Sequence, residues 1–157
     1  KQKPAYEIRN CDWSSDVCSS DLLALFSFFY LLPKASERSK IQWQKWSPEA
    51  VARAVAEGHP VLVDFTADTC LNCKFNKKTS IEISSTIQKL GEHKVVAFEG
   101  DFTDADPAIA QELTRHGRRG VPLVLVYSKT PGKDPKVLPT LLTPDIVHEA
   151  LDWAAKP

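Results

Sequence analysis

Val61-Leu62-Val63-Asp64-Phe65-Thr66-Ala67-Asp68-Thr69-Cys70-Leu71-Asn72-Cys73-Lys74 is the stretch on which the reading of this chain turns. Val61 to Thr66 is a near-continuous apolar run, the pattern of a strand buried on both faces. Two cysteines separated by two residues then open what reads as a helix. Cysteines so placed can close a small disulfide, and the first lies among backbone N–H groups that have no intrahelical partner and favour a thiolate. The thiolate is the reactive form of cysteine, so the spacing predicts reversible redox chemistry at Cys70 and Cys73. A small, buried core role is the plain alternative for Cys73.

Asp64 is the second signal, because an ionised side chain inside an apolar strand is costly unless paired or neutralised. Burial raises a carboxyl pKa, and such a group can exchange a proton with a buried thiol. The alternative is an edge aspartate satisfied by backbone donors.

Outward from this stretch, the chain from Ile41 onward alternates helices and strands at short spacing, which predicts an α/β domain with a helix-covered sheet. Ser47-Pro48 caps a helix that ends at Gly58, with Val51, Ala54 and Val55 on its apolar stripe. The Cys70 helix is expected to break near Ser84-Ser85, either of which could cap a second segment through Leu90. A strand is expected over 94–102, and then a helix over 107–116 capped by Asp106. Leu123 to Tyr127 reads as a strand, Val137 to Pro139 as an edge strand, and Thr143-Pro144 as the cap of a last helix. That helix carries Ile146, Val147, Ala150, Leu151 and Trp153 on one face. Trp43 and Trp46 read as packing residues for the start of the domain.

Residues 1–40 read differently. Asp12 to Leu22 shows neither helical nor strand periodicity and reads as the translation of a sequencing adapter, which makes 1–22 a non-biological or disordered segment. A genuine polar loop closed by a Cys11–Cys18 disulfide is the alternative. Residues 23–32 are apolar and uncharged, too short for the ~20 residues that a spanning helix needs, and are expected to be the end of a truncated transmembrane helix. A signal-peptide core and a buried core helix are the competing readings. Residues 33–40 read as a linker, and 41–157 as the domain.

The 157 residues are 43% hydrophobic and 25% charged, with a formal net charge of zero, enough for one globular core. Scattered basic residues argue against a nucleic-acid partner. His59, His93, His116 and His148 share no metal-ligand spacing and read as surface or capping residues.

With the elements in this order, the chain resembles the thioredoxin fold, a central mixed β-sheet flanked by helices, here with an N-terminal extension. Within that superfamily it is similar to the C-terminal periplasmic domains of the DsbD family of membrane thiol:disulfide interchange proteins. Val63 to Lys74 and Gly120-Val121-Pro122 carry the resemblance, which covers roughly residues 41–155. It implies that Cys70 is the nucleophile, Cys73 the resolving thiol and Asp64 the group that exchanges a proton with it. It also implies that Pro122 is cis, that Val121 offers its backbone to a bound partner, and that Thr69 and Leu71 contact the substrate beside the disulfide. Two residues depart from the family pattern: Thr69 stands where the superfamily usually has tryptophan, and Lys77 where DsbD domains often have glutamate. A cation at 77 is expected to favour the Cys70 thiolate, whereas Asp68 could oppose it or be a plain solvated carboxylate.

The implied activity is protein-disulfide reduction, with electrons passed from a membrane-embedded cysteine pair to periplasmic thiol proteins at the inner membrane of a bacterium, in the setting of cytochrome c-type biogenesis. No cofactor or metal is implied beyond the Cys70–Cys73 pair, and the domain is expected to be monomeric. A stand-alone thioredoxin-like oxidoreductase and a structural zinc module built on the CxxC are the alternative readings. The second is weakened by the six residues between Cys11 and Cys18, outside the usual two-to-four spacing.

Overall fold

A computed structural model of the chain describes residues 41–156. The expectations for the first forty residues, including Cys11, Cys18, the apolar segment and the linker, lie outside the described residues. No helix among the described residues is long and apolar enough to cross a membrane.

Five strands, β1 (Trp43–Lys45), β2 (Val61–Thr66), β3 (Val96–Asp101), β4 (Leu123–Tyr127) and β5 (Lys136–Val137), form one sheet in the order β1-β3-β2-β4-β5. β1, β3 and β2 run parallel, whereas β4 and β5 are antiparallel to their neighbours. The apolar run Val61 to Phe65 therefore sits at the middle of the sheet, with neighbours on both edges and buried residues on both faces. Helix α1 (Pro48–Ala56) and helix α4 (Pro107–Arg115) cover one face. There Val51, Ala54, Ile109 and Leu113 pack with Val61, Val63 and Phe65. The other face is covered by α2 (Leu71–Asn76) with its π-helical continuation Lys77–Ile81, α3 (Ser84–Glu92) and α5 (Pro144–Ala155). Leu62, Val124 and Val126 meet Ile81, Leu90, Val147 and Leu151 there. This is the thioredoxin fold, a mixed sheet between two helical layers.

Three helix starts follow directly from their side chains. Ser47, Asp106 and Thr143 each accept a hydrogen bond from a backbone N–H of the first turn, and each is followed by proline. The start of α3 differs from expectation. Its N-cap is Ile83, without a side-chain hydrogen bond, so neither Ser84 nor Ser85 caps it. Thr86 instead reaches back to donate to the Ser80 carbonyl at 2.7 Å, closing the corner after the π-helical turn. β1 was not expected from the sequence either, although Ile41-Gln42-Trp43-Gln44 carries a short apolar and polar alternation.

On the α1 side, Trp46 meets Phe65 edge to face, with ring centroids 5.0 Å apart. Gly100 lies beneath that pair. A Cβ at Gly100 would stand 2.7 Å from Phe65 Cε1 and closer still to Cδ1. Phe65 is fully buried and has no room to yield. Gly100→Ala should therefore lower stability by about 1–3 kcal/mol, as overpacked cores do. Urea unfolding checks this, and an unchanged midpoint would show that Phe65 can move aside.

Candidate functional site

β2 delivers the chain to the site. Its last residue, Thr66, accepts from Phe102 N–H at 2.8 Å, and Asp68 N–H donates to Thr103 Oγ1 at 3.0 Å, so the end of β3 braces the turn over 67–69. Cys70 N–H donates to the Ala67 carbonyl at 3.0 Å and closes that turn. Cys70 is the N-cap of α2, and its Sγ accepts from Cys73 N–H at 3.1 Å. Its side chain thus does for the first helical turn what serine or aspartate does at other caps.

Cys70 and Cys73 are joined by a disulfide across a Cα–Cα distance of 5.3 Å. The two sulfurs are unequal in access: Cys70 is half-buried and Cys73 is 2% exposed. One turn of helix separates a sulfur that a partner can reach from one that it cannot. Thr69 and Leu71 flank Cys70 and are both exposed. The Val121–Pro122 peptide is cis, and both residues are half-buried at the start of β4.

Asp64 is 2% exposed, and its Oδ2 has no hydrogen-bond partner. It lies in the central strand, paired with Glu99 of β3 on one side and Val124 of β4 on the other, so the reading of an edge aspartate satisfied by backbone donors does not hold. Strand alternation puts Asp64 on the same sheet face as Leu62, the face covered by the α2 segment, on which Cys73 and Asn76 point inward. Burial pushes the Asp64 carboxyl up to about 7; Lys77 opposes this, and Glu99 and Glu82 add to it. A carboxylic acid with that affinity holds or gives up a proton near neutral pH.

Lys77 occupies a place that the sequence did not disclose. Its ammonium pairs with Glu99 and lies 4.9 Å from the centre of the Trp43 ring. Trp43 in turn donates from Nε1 to Glu82 Oε1 at 3.3 Å. The cation expected to act on Cys70 is thus held over the β1–β3 side of the sheet, where its charge acts on Asp64. Sequence distance hid Glu99 from the reading, because the Lys77 pairing joins residues 22 apart. A charged residue inside the β3 run was the available clue.

A second missed group is Asn76, 1% exposed. Its amide donates to the Thr140 carbonyl at 2.8 Å and its Oδ1 accepts from Leu142 N–H at 3.0 Å. Ser80 adds a bond to the Leu142 carbonyl at 2.9 Å. These polar groups fasten the cysteine helix to the segment before α5.

His93 and His116 are the C-caps of α3 and α4 and contact Asp152 and Glu112, and His148 contacts Thr86. Among the described residues, no group of three or more His, Cys, Asp or Glu is placed to hold a metal ion.

A family model described as thioredoxin-like matches residues 42–129, more than half of the chain. The thiol:disulfide interchange protein DsbD 1 of Pseudomonas aeruginosa is 32% identical over 85 residues, which are 54% of this chain and 14% of that protein. The chain therefore spans only a small part of that relative. Among solved structures, the C-terminal domain of Neisseria meningitidis DsbD in its oxidised form is 26% identical. The alignment covers 67% of this chain and 87% of that one, with a TM-score of 0.53. A thioredoxin from Thermus thermophilus, 19% identical, shares the fold over 73% of this chain and 86% of that one with a TM-score of 0.58. With a cysteine pair at this point of such a fold, and a thioredoxin-like match over more than half of its length, the chain belongs to the thioredoxin-like family and is similar within it to DsbD domains.

Proposed function

We propose that this domain reduces protein disulfides, receiving two electrons from a membrane-embedded cysteine pair and passing them to thiol proteins on the periplasmic side of a bacterial inner membrane. The observation that carries the reading is the unequal access of two bonded sulfurs, Cys70 within reach of a partner and Cys73 shielded beneath it. The likeness to DsbD supports the choice of electron source and partners.

In the reduced domain the Cys70 thiolate attacks one sulfur of the partner's disulfide. A Cys70–partner bond forms, and the partner's other sulfur leaves and takes up a proton. The Cys73 N–H that points at Cys70 Sγ favours that thiolate. Cys73 then gives its proton to the Asp64 carboxylate and attacks Cys70 Sγ. The Cys70–Cys73 bond forms, the mixed disulfide breaks, and the partner's second sulfur leaves. Two electrons have passed to the partner; its two sulfurs leave as thiolates that take protons from solvent, and the proton from Cys73 rests on Asp64 until solvent removes it. Reduction of the domain runs in reverse: an incoming thiolate attacks Cys70, and Cys73 leaves and takes up the proton from Asp64. Val121 offers its backbone to the docked chain beside Pro122, with Thr69 and Leu71 at the rim.

Replacing Cys70 by serine should bring insulin reduction down to background, whereas Cys73→Ser should trap a mixed disulfide that survives non-reducing electrophoresis. Full activity in the Cys70 variant would sink the proposal. Asp64→Asn should slow resolution on the order of 10²-fold at pH 7 while leaving the first attack in place, so the mixed disulfide accumulates transiently.

The same carboxyl has a signature in stability. Its folded-state pKa of about 7 stands above the ordinary value of 3.8, so between these values the native state keeps a proton that the unfolded chain has released. Stability from this group is fully present below pH 4 and declines as the pH rises to about 7, by on the order of 2–4 kcal/mol. Oxidised Asp64→Asn should therefore match the wild type near pH 4 and exceed it by a margin that grows up to pH 7 and is constant above. Urea unfolding across that range reads the margin directly, and parallel curves would mean that Asp64 ionises freely in the folded protein.

A further inference from the structure

Four large hydrophobic side chains are exposed among the described residues, and three of them, Leu71 at 80%, Phe75 at 56% and Leu141 at 58%, belong to α2 or to the segment fastened to it. Resting on the reductase reading above, we propose that this surface docks an extended segment of the substrate protein, in which apolar residues near its cysteine are flanked by carboxylates.

The apolar part has a defined geometry. Leu71 and Phe75 are four residues apart on one helix face, about 6 Å along the axis. Alternate side chains of an extended chain are spaced by about 7 Å, so such a chain can set one on each. Leu141 is held in place by its neighbours, since the Thr140 carbonyl and Leu142 N–H are both bonded to buried Asn76. Arg118 Nη1 donates to Thr140 Oγ1 at 3.1 Å and ties the loop before Pro122 to the same segment. The surface is therefore built before a partner arrives, which limits the ordering that binding requires.

Its charge selects the partner. From Leu71 to Ile81 the chain has three lysines and no acidic residue, and Lys74 and Lys78 are exposed. Arg119, exposed beside Arg118, adds a further cation from the loop before Pro122. A second copy of this chain would set like charges against each other, whereas an acidic flank is drawn in. Asp68, exposed two residues before Cys70, leaves α2 as the side on which the partner's carboxylates lie.

The test uses the full chain and two synthetic peptides that share one intramolecular disulfide and the same apolar residues, one flanked by glutamates and the other by lysines. At low salt kcat/KM should favour the glutamate peptide by about tenfold, and the preference should shrink several-fold at about 0.5 M salt. Lys74→Glu combined with Lys78→Glu should reverse it. Phe75→Ser should weaken both peptides about fivefold, through KM. A serine-for-cysteine copy of the glutamate peptide, followed by fluorescence anisotropy, reads docking without any thiol chemistry. Equal rates for the two peptides, or anisotropy unaltered by Phe75→Ser and by the lysine reversals, would overturn the docking surface alone. Failure of the wild-type chain to reduce either peptide or dithiobis(nitrobenzoate) would overturn the reductase reading on which it rests.

Discussion

A carboxyl group buried in the central strand is the constraint around which this domain is organised. Asp64 sits where the sheet is otherwise apolar on both faces, and its Oδ2 has no hydrogen-bond partner. A purely structural domain would gain by replacing it with an apolar residue. Both neighbouring strands are in register around it, and Lys77, the cation that bears on it among the described residues, is itself held by Glu99 and Trp43. The cation lowers the proton affinity that burial and the nearby acids raise. The balance leaves the group near neutrality, where a proton acceptor for a thiol is most useful.

The cysteine helix is seated by polar bonds as well as by apolar packing. Ile81 anchors it in the core beneath, yet Asn76 and Ser80 carry three hydrogen bonds to the segment 140–142. Buried and directional, these bonds set the register of the helix in a way that interchangeable aliphatic contacts do not. The π-helical turn Lys77–Ile81 follows directly after Asn76 and carries Ser80, whose hydroxyl donates to the Leu142 carbonyl and whose own carbonyl accepts from Thr86 Oγ1.

Much of the fold was legible because its signals are local. Ser47, Asp106 and Thr143 announce three helices through caps that act within one turn, and Val61 to Thr66 announces the central strand through an uninterrupted apolar run. Cys70 and Cys73 announce themselves by spacing. Lys77 was legible only in part. Its charge was visible, but its direction is set by Glu99, a residue of β3 that adjoins Asp64 only once the parallel register exists. Asn76 was silent for the same reason, since its partners lie more than sixty residues away. β1 is three residues long and gains its identity from pairing with β3, not from its own pattern.

Thr69 shows how the two halves of the site are linked. An exposed threonine beside Cys70 leaves the disulfide without the aromatic cover that tryptophan gives in the superfamily, and large apolar area reappears further along, at Leu71, Phe75 and Leu141. On the docking surface proposed above, contact with a partner lies along the flank of the helix. The same helix carries Lys77 on its inward side and Lys74 and Lys78 on its outer side. One short segment thus tunes a buried proton on one face and presents charge to a partner on the other. The two tasks do not interfere, because the Lys77 ammonium is already paired with Glu99, whereas Lys74 and Lys78 are exposed on the helix surface.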